Sequence, residues 1–210
     1  MKDTTWKFDK DIAKIFVDHA RQHIPNYDQV INKCVSVAQD LVAKDSAIVD
    51  IGCATGETLR RLHQAGFTNL HGVEASQAML DHCDLSLAQY YHSDTFPNKK
   101  FDAIFCNWTL HFIKDKVSYL SKIHRNLNDG GFMILSDKTS LDPFCIKKYH
   151  EWKSSQGVTQ QQIQDKAQSV KNIMFIDSPK WYLDTLQQIG FGRVEVIDAH
   201  WCFTTFLCNK

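Results

Sequence analysis

The sequence predicts an α/β protein with a mostly parallel sheet covered by helices, and three observations carry that prediction. From about Ser46 onward, short apolar runs alternate with amphipathic segments; Gly52 ends the first run, with only three residues before Gly56 opens a helix; and the chain closes on two β-rich segments too near each other to hold a crossover helix. A length of 210 residues suits one compact domain with a sizeable core.

The elements follow in order. Between Asp9 and Val42, Ile12, Ile15 and Phe16, then Val30, Ile31, Cys34 and Val37, recur at helical spacing, and Pro25 in "IPNYD" splits them into two helices. "AIVDIG" reads as a strand, "GETLRRLHQA" as a helix, "NLHGVE" as a strand, and "SQAMLDHC" as a helix with Ser76 as its N-cap. "AQYYHSD" and "FDAIFCNW" are further strands; a helix over Asp115 to Leu127 follows, and the turn "NDGG" leads into the strand "GGFMILSD". Asp142 to Lys171 is polar and helical, interrupted at "SSQGVTQQQ". A helix from Pro179 to Ile189 and the turn "GFG" precede "RVEVID" and "CFTTFLC", which the short connection makes an antiparallel pair.

Charge and cysteine usage narrow the function classes. Twenty-four Lys and Arg balance twenty-four Asp and Glu, so no global positive field recruits nucleic acid or anionic lipid. Seven cysteines occur without a C-x-x-C pair, several inside apolar runs, which argues for a reducing compartment and against structural zinc. No apolar run approaches the roughly 18 residues of a membrane span, and the N-terminus "MKDTTWKFDKD" is polar. The expectation is a soluble cytoplasmic protein.

The turn after "AIVDI" carries the chemistry. A glycine where a strand meets a helix lets the backbone turn tightly and approach a ligand, so Gly52, Cys53, Ala54 and Gly56 of "GCATG" become candidates, with Asp50 just before them. Glu74 in "HGVEAS" follows Gly52 by 22 residues, the offset at which a carboxylate beyond the second strand accepts both ribose hydroxyls of a nucleoside. A pyrophosphate gains little beside Asp50 and Glu57, and no third glycine opens the helix. A zwitterionic, sulfonium-bearing amino acid fits better, its carboxylate on backbone amides and its ammonium beside acidic side chains.

"VDIGCATG", "GVEAS", the Asp94 that ends "YYHSD", and "FDAIFCNWTLHFI" resemble, in order and spacing, the successive binding motifs of class I S-adenosylmethionine-dependent methyltransferases, over about Ser46 to Ser136. The resemblance implies a Rossmann-like, mostly parallel seven-stranded sheet with an antiparallel last strand, arranged as one domain: residues 1–45 as a helical lid and 46–210 as the core. "FDKDIAKIF", "IPNYDQVI", "NWTLHFI", "LSDKTS" and "KNIMFIDSPKWYLDTLQQIGF" are further similar to segments of the carboxy-S-adenosylmethionine synthases of bacterial tRNA wobble-uridine modification. By that similarity Tyr27 of the lid contacts the ligand, Gly52, Cys53 and Ala54 line its amino-acid moiety, Glu74 and Ala75 meet the ribose, Asp94 and Thr95 flank the adenine, and Asn107 lies below the sulfonium. Those synthases hold their extra carboxylate with an arginine, whose position here is Ala167, with Lys166 and Lys171 as neighbouring point charges.

The expected function is therefore methyl transfer from S-adenosyl-L-methionine to a small molecule, with S-adenosyl-L-homocysteine as product. Carboxy-S-adenosylmethionine synthesis and a non-catalytic S-adenosylmethionine-binding module are the alternatives. Methyl transfer to a nucleophilic acceptor is largely alignment, so no catalytic residue is assigned. His111 is read as structural in preference to a base, and Tyr149, Trp152, Trp181, Trp201 and Phe203 as core aromatics covering the pocket. His19 and His23, one helical turn apart, lack a third ligand and read as a solvated face, so no metal is expected. "NKKFD" and "IKKYHEWK" read as solvated basic runs, which leaves a small-molecule substrate and no nucleic acid or membrane as partners; a homodimer remains open.

Overall fold

The computed structural model describes residues 6–94, 96–140 and 142–210. Two helices, α1 (Lys10–His23) and α2 (Tyr27–Leu41), come first. Asp9 caps α1 by accepting from the amides of Asp11 and Ile12, and the chain turns at Pro25 and Asn26, the latter at φ +58°. The alternating region follows as β1 (Ile48–Ile51), α3 (Glu57–Gln64), β2 (Leu70–Glu74), α4 (Gln77–Leu80), β3 (Gln89–His92), β4 (Phe101–Asn107), α5 (Lys116–Asn126) and β5 (Leu127–Lys138). Three helices, α6 (Pro143–Ser155), α7 (Gln160–Val170) and α8 (Pro179–Ile189), lead to β6 (Arg193–His200) and β7 (Phe203–Asn209).

Among the described residues the strands form one seven-stranded sheet in the order β3-β2-β1-β4-β5-β7-β6. Strands β1 to β5 pair in parallel, while β7 runs antiparallel to both β5 and β6. Only β7 is reversed, as the fold class requires, and β6 points with the parallel set. Strict alternation divides the buried strands between two layers. Ala103, Phe105, Phe132 and Ile134 pack against α2 and α3 on one face, whereas Ile104, Cys106, Met133 and Leu135 pack against α5 and α8 on the other.

One boundary differs from the sequence reading. "NDGG" is not a turn ahead of the strand: β5 begins at Leu127, which pairs with Phe101 before the register shifts, and Asn128 ties in by donating to Asp102 at 2.6 Å. No helix among the described residues is long and apolar enough to cross a membrane.

The N-terminal helices are fastened over the strand ends by charge. Arg61 of α3 donates to Glu57, to Asn32 Oδ1 and to the Asp28 carboxylate, and Arg21 of α1 donates to the same Asp28. Ahead of α1 a short strap is held at two points: the Trp6 amide donates to Ser169 O (3.1 Å), and Ser76 Oγ donates to Phe8 O (2.6 Å).

Candidate active site

The chain leaves β1 toward β2 on one side and returns to β4 on the other, so a crevice opens at the C-terminal ends of β1 and β4, where α/β sheets bind ligands. Gly52 occupies the turn at φ +68°, and a Cβ there would lie 2.2 Å from Thr109 Oγ1. Thr109 itself is pinned by donating to Ile51 O at 3.1 Å. Glycine is thus demanded twice, by backbone conformation and by the close approach of the β4 loop.

The two loops expected to converge do touch. The Ala54 amide donates to Glu74 Oε2 at 3.0 Å, and Ser76 donates to Glu74 Oε1 at 2.8 Å. Each carboxylate oxygen keeps a lone pair beyond these bonds, enough for two vicinal hydroxyls. A correction concerns the amides. Gly52 and Cys53 both donate to Val73 O (2.8 and 3.1 Å), so these N–H groups and that of Ala54 are spent on tying β1 to β2 and are not free for a ligand carboxylate.

A cavity of about 340 Å³ extends from this crevice beneath α1. Tyr27, Asp50, Gly52, Cys53, Ala54, Glu74, Ala75, Asp94 and Asn107 all line it. Gly56 does not: at φ +81° it is the N-cap of α3, and it faces Tyr90 and Cys83, so its role is to start the helix. Thr95 lies outside the described residues. Tyr27 stacks on Trp108 with centroids 4.9 Å apart, and the Asn107 side chain is held against Cys34 of α2.

The cavity is electrically polarised. At the crevice end, burial pushes the Asp50 carboxyl up to about 8, with Glu74 adding to the shift and a hydrogen bond from Thr58 opposing it; no cationic side chain among the described residues pairs with Asp50. Burial likewise raises Glu74, against the amides that it accepts from. At the far end Lys138, Lys153 and Lys166 line the wall, and none has a carboxylate partner among the described residues. The ammonium groups of Lys138 and Lys153 share the face of Tyr149, at 5.2 and 4.4 Å from its centroid. Desolvation first, then mutual repulsion, lowers Lys153 to about 8 and Lys166 to about 6.

Several residues on this wall escaped the sequence reading. Lys153 belongs to "IKKYHEWK", read as a solvated run, yet it is buried, whereas its neighbours Lys147 and Lys148 pair with Glu151 at the surface. His19 and His23 are not a solvated face: their rings stack 4.0 Å apart on the cavity wall beneath Trp6, and burial depresses them to about 3 and about 4. Of the five aromatics grouped as pocket cover, Tyr149 and Phe203 line the cavity, while Trp152, Trp181 and Trp201 do not. Among the described residues no three His, Cys, Asp or Glu side chains converge as a metal site would require.

His111, read as structural in preference to a base, is held by a carboxylate. It is buried, lines the cavity, and donates from Nδ1 to Asp137 Oδ1, while Asp137 Oδ2 accepts from Tyr182 Oη at 2.6 Å. The His–Asp pair was not legible from spacing, since 26 residues separate its members.

This donor set suits the amino acid and nucleoside ends of S-adenosylmethionine, with an unpaired buried carboxyl for the ammonium and Glu74 for the ribose hydroxyls. Comparisons with known proteins bear on the fold and the cofactor. Residues 49–135 match a family model described as a methyltransferase domain. A carboxy-S-adenosyl-L-methionine synthase of Helicobacter hepaticus is 30% identical over 98% of this chain and 95% of its own length. A second, from Actinobacillus pleuropneumoniae serotype 7, is 29% identical over 90% and 87%. Among solved structures, an S-adenosylmethionine-dependent methyltransferase described as putative, from Methanococcus maripaludis, superposes with a TM-score of 0.67 at 18% identity, over 100% of this chain and 97% of that one. Magnesium protoporphyrin IX methyltransferase from Synechocystis, with bound S-adenosylhomocysteine, gives 0.67 at 14% identity, over 90% and 86%. The chain belongs to the S-adenosylmethionine-dependent methyltransferase family, within its group of carboxy-S-adenosyl-L-methionine synthase-like enzymes.

Proposed function

We propose that this enzyme transfers a one-carbon group from S-adenosyl-L-methionine to a small anionic acceptor enclosed beneath α1. The cofactor lies in the crevice, its ammonium beside Asp50, its ribose hydroxyls on Glu74, its adenine flanked by Asp94 and Asn107 below the sulfonium. The observation that carries the acceptor class is the trio Lys138, Lys153 and Lys166, three lysine side chains that have no carboxylate partner among the described residues on the wall of the same cavity. Desolvated cations without partners are costly, and an anion is the ligand that offsets the cost. S-adenosylmethionine supplies an electrophilic methyl carbon, and the enclosing wall aligns the acceptor and excludes water. Retained cofactor and its demethylated product, identified by mass spectrometry of ligand released from denatured protein, support this reading.

The synthase reading is favoured by one feature of this wall. Lys166 lines the cavity beside Ala167, so an amine stands one position from the expected guanidinium, and a carboxylate bound beside it would favour its charged form. A released ligand heavier than S-adenosylmethionine by the mass of carbon dioxide would establish that reading and overturn plain methyl transfer. A non-catalytic binding role requires that no acceptor consumes the cofactor, and any turnover rejects it.

A further inference from the structure

We infer that His111 is the general base of the reaction, taking a proton from the acceptor's own nucleophile through Nε2, and that the acceptor is consequently a protic one: a hydroxyl, amine or acidic C–H compound that also bears an anionic group. The inference rests on the transferase reading above. Its basis is the buried chain Tyr182–Asp137–His111. Tyr182 from α8 donates to Asp137 Oδ2 at 2.6 Å, and Asp137, wholly buried on β5, accepts from His111 Nδ1 through its other oxygen. With its proton held on Nδ1, the imidazole has Nε2 as a bare acceptor. That nitrogen has no protein partner among the described residues, and the ring lines the cavity. The neighbouring Phe112 ring lies with its centroid 4.3 Å from that of His111, and the His111 carbonyl accepts from Phe175 N at 2.7 Å, which holds the backbone that carries the ring.

A histidine needed only to fill space does not require a carboxylate taken wholly out of water, and that carboxylate would not need a tyrosine to satisfy its second oxygen. The same arrangement is what an orienting group and a base need: one nitrogen held, the other presented. The acceptor's X–H bond breaks with its proton going to Nε2, and its electron pair forms the new bond to carbon. The sulfur keeps the pair of the severed C–S bond and becomes a neutral thioether. Asp137 balances the imidazolium until the proton passes to solvent on product release. Asp137 and Tyr182 are positioning residues and touch no substrate.

The test has two independent arms. Long-range 15N–1H spectra of the ligand-free protein at pH 7.5 should show His111 neutral, protonated on Nδ1 and bare on Nε2. A standing imidazolium, or a proton on Nε2, would overturn the assignment whatever the acceptor proves to be. In the second arm salicylate, anthranilate and mandelate serve as protic probes and benzoate as a probe whose carboxylate attacks without losing a proton, and mass spectrometry of the products separates turnover at the hydroxyl or amine from turnover at the carboxylate. His111→Gln should lower kcat on the protic probes by about a hundredfold or more, and by at least tenfold more than it lowers benzoate turnover. Equal losses on both probe classes would reject the base. If wild-type protein turns over none of the four, the anionic-acceptor reading fails, and the spectra alone decide the role of His111.

Discussion

Replacing Asp50 by asparagine should stabilise the ligand-free protein while weakening its hold on the cofactor. Asp50 is 3% exposed, and its folded-state carboxyl is raised from an ordinary 3.8 to about 8 by desolvation. A folded pKa above the unfolded one means that the native state binds the proton more tightly. Stability from this group is therefore complete below the unfolded value and is lost as pH climbs through 3.8 toward 8. At about 1.4 kcal/mol per pH unit, the gap corresponds to about 6 kcal/mol lost by pH 8, an upper bound because relaxation and water penetration soften burial. Asparagine keeps the shape and the acceptor for Thr58 but cannot ionise. Urea denaturation of ligand-free wild type and Asp50→Asn at pH 5 and pH 8 isolates the effect, since every other titrating group is common to both. The variant should gain on wild type by several kcal/mol between these two pH values, and its affinity for S-adenosylmethionine should fall by tenfold or more. Parallel pH profiles would show that Asp50 is already ionised in the free protein, and the argument from burial would fail.

Three other substitutions probe the same cavity. Glu74→Ala should weaken cofactor binding by about 1–3 kcal/mol, the loss of charge-assisted hydrogen bonds; unchanged calorimetry would remove Glu74 from the site. Gly52→Ala should cost about 2–4 kcal/mol of stability, through strain at φ +68° and the clash with Thr109, and a Thr109→Ala background should recover the steric part, so additive losses would refute the clash. Lys153→Met should raise stability at pH 7 by about 1–3 kcal/mol, because a lysine lowered from 10.5 to about 8 makes wild type gain stability only as pH rises through that window; a less stable variant in chemical denaturation would mean that the ammonium is already well compensated.

What could be read from the sequence was what is local. "VDIGCATG" and "GVEAS" place Gly52 and Glu74 at consecutive strand ends by spacing alone, and the alternation of strands with helices disclosed a parallel sheet covered by helices. The basic end of the cavity was hidden because it is assembled from three consecutive elements, β5, α6 and α7, whose inward faces are set by packing and not by spacing. Nothing in "IKKYHEWK" marks Lys153 as the lysine turned inward: helix α6 has a weak apolar pattern, and packing against Tyr149 decides which side chain is buried. His19 and His23 misled for the same reason, since i, i+4 spacing fixes a shared face but not what that face meets. Spent amides at Gly52 and Cys53 were equally invisible, because their acceptor, Val73 O, is a neighbour only through strand pairing.

The strap across the mouth sets a kinetic condition on turnover. Trp6 and Phe8 line the cavity while their backbones are clipped to Ser169 and Ser76, so a spent cofactor in the crevice stays confined as long as both clips hold. Severing two hydrogen bonds and unstacking Trp6 from His19 must precede release, which makes departure a peeling event. The lifetime of the loaded complex is then governed by the strap from Trp6 to Phe8, which carries no reacting group.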